Sequence, residues 1–122
     1  MQEIYETKQR IIQETVPGKQ ITLAHIIANP DTTLYRKLGL DPTVDYSTKS
    51  AIGILTMTPS EYAIIAADIS LKASGAEVGF VDRFSGTLIV VGSVSEVEAA
   101  MLAAVEYAER KLGFHICEIT KT

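Results

Sequence analysis

Two different periods of apolar and polar positions run along this chain, and the switch between them marks its elements. Ala51-Ile52-Gly53-Ile54-Leu55-Thr56-Met57 is a short, apolar, partly β-branched run, which predicts a strand buried on both faces. Thr58-Pro59-Ser60-Glu61 then offers a cap, a proline at the first helical position and a glutamate three residues after the cap. Tyr62, Ile65, Ala66, Ile69 and Ala73 follow at helical spacing, and Ser74-Gly75 ends the predicted helix. Residues 77–83 and 86–91 read as two strands around a tight Phe84-Ser85-Gly86 turn, a hairpin. Ser93-Val94-Ser95-Glu96 is a second capping box. Behind it Val97, Ala100, Met101, Ala104, Val105, Ala108 and Leu112 form one apolar stripe, closed by Gly113. Residues 114–119 are expected to return as a last strand. The order strand, helix, strand, strand, helix, strand is that of a ferredoxin-like split βαβ unit, an α+β fold.

The first fifty residues are additional to that unit. Residues 20–28 predict a good strand, entered from a Pro17-Gly18 turn. Asn29-Pro30-Asp31 opens a short helix through Leu38, and Gly39 ends it. Residues 41–50 are polar and turn-rich, which reads as a surface loop. Residues 3–16 fit two patterns. Ile4, Tyr5, Ile11 and Ile12 suit an amphipathic helix, while Ile12, Glu14 and Val16 against Ile11, Gln13 and Thr15 suit an extended arm.

Composition narrows the function classes. At 122 residues the chain is the size of one domain, and 47% apolar with 21% charged residues is ordinary for a folded protein. A formal charge of −4 argues against nucleic-acid binding, which needs a basic surface. The apolar runs, such as residues 88–91, are too short to span a bilayer, and no charged-then-apolar leader opens the chain, so neither membrane nor secretion is expected. The lone Cys117 forms no internal disulfide, which fits a reducing cytoplasm. There is no Trp, while Ala and Ile are abundant, and small side chains on helices permit close packing of elements or subunits.

Candidate chemistry is sparse. Gly18-Lys19 lacks the phosphate-loop pattern, because Gln13 and Gln20 stand where a glycine and a hydroxyl residue are required. His115 and Cys117, two apart on the expected last strand, would share a face, yet no second cysteine or ligand-spaced histidine accompanies them. A packed strand residue is the expectation for Cys117. Asp82 and Arg83 flank the hairpin turn, where a surface ion pair is the plain reading. Tyr62 and Tyr107 read as core or interface aromatics, and Met57 and Met101 as core fillers. No nucleophile–base pair or metal set has recognisable spacing, so neither enzyme activity nor a cofactor is expected.

Four blocks in order carry a family resemblance. They are Val16-Pro17-Gly18-Lys19-Gln20-Ile21-Thr22-Leu23-Ala24-His25-Ile26-Ile27-Ala28, then residues 51–59, then Gly79-Phe80-Val81-Asp82-Arg83-Phe84-Ser85-Gly86, then Cys117-Glu118-Ile119-Thr120-Lys121-Thr122. Together they resemble the EutS/PduU-type circularly permuted shell proteins of bacterial microcompartments. The resemblance covers residues 10–122; a longer N-terminus before Arg10 and a longer loop between Gly39 and Ala51 depart from it.

The resemblance implies a circularly permuted BMC shell domain over residues 17–122, with an antiparallel sheet, helices on one side, and an N-terminal arm over residues 1–16. It implies a homohexameric tile, packed with other shell proteins around enclosed enzymes of an ethanolamine, propanediol or choline compartment in the cytoplasm. Nucleic acid, membrane and catalysis have no part in that role. The turn Asp82, Arg83, Phe84, Ser85 and Gly86 would line a pore on the six-fold axis, its charges setting a local potential. Ile11, Ile12, Gln13, Glu14, Thr15 and Val16 would form one strand of a small parallel barrel above it, which favours the extended arm. Ile12, Glu14 and Val16 are expected outward, since six inward Glu14 side chains would repel. The competing reading is a ligand-sensing ferredoxin-like oligomer, which needs a pocket of convergent polar groups that the sequence does not locate.

Overall fold

Strand β2, Ala51–Thr58, is the centre of the sheet, and Ile52 and Leu55 on its opposite faces are both fully buried. A computed structural model describes residues 18–122; the expected arm, with Ile11, Ile12, Gln13, Glu14, Thr15 and Val16, lies outside the described residues. Strands β1, Gln20–Ala28, and β4, Thr87–Gly92, pair antiparallel on either side of β2, with Ile52 opposite both Ile27 and Val91. Strand β3, Glu77–Asp82, adds antiparallel to β4, and the two-residue β5, Thr120–Lys121, adds parallel to β1. The order is β3-β4-β2-β1-β5.

That order corrects the sequence reading of residues 114–119. A split βαβ unit needs a fourth strand beside β2, and β1, from ahead of the unit, holds that place. Its hydrogen bonds use up that edge of β2, so the tail after the last helix runs along the outer edge of β1 instead. The tail touches the sheet at His115, bridged to Gln20, and at β5, where His25 and Ile26 face Thr120 and Lys121. The closing strand has been supplied from the other end of the chain, which is what a circular permutation of the unit produces.

Helix α3, Val94–Leu112, begins as its sequence dictates. Ser93 Oγ accepts from the Glu96 amide at 3.1 Å and Glu96 Oε1 accepts from the Ser93 amide at 2.9 Å. It ends at Gly113 in the left-handed region, and its stripe from Val97 to Ala108 is buried. Helix α2, Tyr62–Ala73, departs from expectation at both its start and its face. Thr58 remains in β2, paired with Gln20, so it cannot cap, and the helix starts at Glu61 without a side-chain cap. The Thr58–Pro59 bond is cis. Its buried residues are Tyr62, Ala63, Ala66, Ala67 and Ser70, whereas Ile65 and Ala73 are exposed. Small residues face inward because α2 lies against α3, where the Tyr62 hydroxyl donates to the Ala104 carbonyl at 2.8 Å.

Both long helices cover one face of the sheet, over a core containing Ile26, Leu55, Leu88, Val90, Val97 and Met101. The other face is partly covered by the short helix α1, Thr32–Lys37, and by residues 40–50. Ile52, Val91, Tyr35 and Leu40 form a second small core there. The expected surface loop is therefore half structural. Tyr46, in a 3-10 turn over Tyr46–Thr48, stacks on Tyr35 with centroids 5.4 Å apart.

Candidate functional site

The hairpin between β3 and β4 projects from one end of the sheet. Asp82 is its first fixed point. Its Oδ1 accepts from the Phe84 amide and its carbonyl accepts from the Gly86 amide, both at 2.9 Å. The bond from the Phe84 amide, with Ser85 adding to it, holds the Asp82 carboxyl below the ordinary carboxylate range. Gly86 is the second. It has φ +76°, and a Cβ there would come within 2.3 Å of the Met57 carbonyl oxygen. The Met57 amide in turn donates to the Gly86 carbonyl at 2.9 Å, tying the turn to the end of β2.

Between these anchors the side chains point away from the fold. The Arg83 guanidinium lies 4.7 Å from the centroid of the Phe84 ring, and that ring is 80% exposed. The surface ion pair considered for Asp82 and Arg83 does not form. Among the described residues the salt bridges are Lys49–Glu77, Lys72–Asp68 and Lys121–Glu98, and Asp82 is occupied by turn amides instead. The structure thus brings all five turn residues together on a rigid tip at the sheet end where β1 also begins, since Gln20 faces Thr58.

The other candidates separate. His115 is exposed and is held through its backbone, which accepts from the Ile21 amide and donates to the Lys19 carbonyl, each at 2.9 Å. Cys117 is half-buried against the main core, off any strand, so the expected common face with His115 is absent. Among the described residues no three His, Cys, Asp or Glu side chains gather as a metal would require. Lys19 caps the end of α3, its Nζ donating to the Leu112 carbonyl at 3.0 Å. Tyr62 and Met57 lie in the core, and Tyr107 is partly exposed on α3.

Sequence reasoning missed two features. His25 bonds Thr120 Oγ1 through Nδ1 at 2.6 Å and Thr122 Oγ1 through Nε2 at 3.0 Å, clasping the tail onto β1. A shallow groove of about 410 Å³ lies beside α1, between Arg36, Leu40, Pro42 and Tyr46. The clasp had no local signal, because it joins residues 95 and 97 positions apart, whereas the groove is lined within residues 32–47, a stretch that read as a short helix and a surface loop. Ile64, Ile65 and Leu71 on α2 are each about half exposed, an apolar strip that the subunit alone leaves in water.

Comparison with known proteins accounts for this arrangement. The BMC domain family model matches residues 51–120. The bacterial microcompartment shell protein EutS of Salmonella typhimurium is 50% identical over 115 residues, 94% of this chain and 98% of that one. PduU, a shell protein of the same organism, is 51% identical over 116 residues, 95% of this chain and 96% of its own. Among solved structures, CutR as a flat hexamer superposes with a TM-score of 0.78 at 47% identity, covering 93% of this chain and 99% of that chain. CutR in a screw form superposes with a TM-score of 0.77 at 44% identity, over 87% and 100%.

Proposed function

The chain belongs to the bacterial microcompartment shell proteins built on the BMC domain, and from that premise we propose that it forms a homohexameric tile. In this reading the tile packs with other shell proteins around enclosed enzymes in the cytoplasm, and its role is structural, not catalytic. The observation that carries the reading is a match at half-identity running nearly the full length of both chains, so that what is shared is a whole subunit. The flat hexamer of CutR supports the assembly state. A cyclic hexamer reuses one heterologous interface six times, and the outward Ile64, Ile65 and Leu71 of α2 provide the apolar surface that such an interface buries.

We assign the tile domain to residues 17–122 and the six-fold axis to the turn Asp82, Arg83, Phe84, Ser85 and Gly86. Rigid backbone at that tip supports the assignment, because copies converging on an axis need a turn that holds its shape. Residues 1–16 we read as an arm above the axis. The register supports this: β1 begins two strands from the turn, about 10 Å across the sheet at ordinary strand spacing, so the preceding chain starts out beside it. Sedimentation velocity at micromolar concentration tests the tile. A hexamer is expected; a stable monomer or dimer overturns the reading.

A further inference from the structure

Phe84 poses a problem that one subunit leaves unsolved. Its ring is 80% exposed, more than any other large apolar side chain among the described residues. Leaving a phenylalanine in water forgoes the burial of a large apolar ring, and a polar residue at a turn tip would forgo nothing. Yet the ring is presented on backbone fixed from three sides, by Asp82 Oδ1 on its own amide, by the Gly86 amide on the Asp82 carbonyl, and by the Met57 amide on the Gly86 carbonyl. A side chain held this way has already given up much of the freedom that making a contact would cost.

The charges beside it do not explain the site. Asp82 and Arg83 cancel formally in each copy, Asp82 is engaged by the turn, and Arg83 lies against the aromatic face. What the tip offers to its surroundings is aromatic surface. Resting on the reading that puts this turn on the six-fold axis, we propose that six Phe84 rings, one from each copy of the chain, pack together there. They form an apolar neck that holds back ions and passes small uncharged solutes. Aromatic rings associate with centroids about 4.5–7 Å apart. A neck so lined dewets readily, and an ion must shed its hydration to enter it.

The chain has no tryptophan, so Phe84→Trp places a single reporter at the neck. In the hexamer its emission should shift to the blue of the urea-unfolded protein. Iodide and caesium should both lose their power to quench it, while neutral acrylamide retains its own; two ions of opposite sign separate exclusion from attraction by Arg83. A hexamer whose introduced indole is quenched by both ions as in urea would overturn the neck and leave the tile standing. Absence of a hexamer in the unaltered protein would overturn the tile and the neck with it. If the tryptophan variant alone fails to assemble, Phe84→Ser decides. Dissociation at higher protein concentration than wild type, recovered by Phe84→Leu, supports the packed rings, and unchanged dissociation refutes them.

Discussion

At residue 86 the backbone leaves no room for a side chain. Gly86 combines φ +76° with a site where a Cβ would meet the Met57 carbonyl oxygen at 2.3 Å, and that oxygen belongs to the central strand and cannot yield. Gly86→Ala should therefore cost about 2 kcal/mol or more, seen as a lower urea midpoint at unchanged slope. Asp82 acts on the same turn through its charge. Its carboxyl is held low, so it contributes stability that is complete above the unfolded value of about 3.9 and is lost as pH falls through the lower folded value. The gap in urea midpoint between wild type and Asp82→Ala should be full at about pH 6 and shrink below about pH 3. A gap independent of pH would place the aspartate's contribution elsewhere. Cys117 is half-buried against the core and belongs to no metal-ligating cluster among the described residues, so Cys117→Ser should assemble normally at a cost of about 1 kcal/mol. Stoichiometric iron or zinc in wild type, lost in the variant, would contradict that.

Elements were legible in the sequence to the extent that their signals are local. Helix α3 declared its start through the Ser93–Glu96 box, its face through the stripe from Val97, and its end through Gly113, because each depends on residues within a turn or two. The hairpin and β1 were equally plain. Residues 114–119 misled because their apolar pattern is strand-like, and no local feature reports that β1 already fills the edge they would need. In α2 the large aliphatics suggested the core, yet close approach to α3 selects alanines inward and leaves Ile64, Ile65 and Leu71 on the exposed side of the helix. The same tightness exists where α3 crosses β2. A Cβ on Gly53 would stand 2.7 Å from Val97 Cγ1 and 3.0 Å from Met101 Sδ. Gly53→Ala should overpack that contact and cost about 1–3 kcal/mol, measured as a drop in Tm with the hexamer retained. Of the site, the turn residues were legible as a turn; the exposure of Phe84 and the clasp of His25 on Thr120 and Thr122 were not, since both arise from where distant segments lie.

For the whole molecule, every described strand pairs with another described strand, and the main core is continuous within residues 18–122. Removing residues 1–16 should leave the hexamer intact in sedimentation, and its loss would show that the arm holds the assembly together. The register of β1 also decides where foreign protein can be attached. Thr122 exchanges backbone bonds with Ile26 and Ala28, at the far end of β1 from Gln20 and the turn. About eight residues of extended chain lie between, roughly 26 Å. A label or enzyme tethered after Thr122 thus hangs well away from the Phe84 tip, whereas one joined directly to Gly18 in place of residues 1–17 would start beside it, so the two ends of the described domain are unequal handles for loading or decorating a shell.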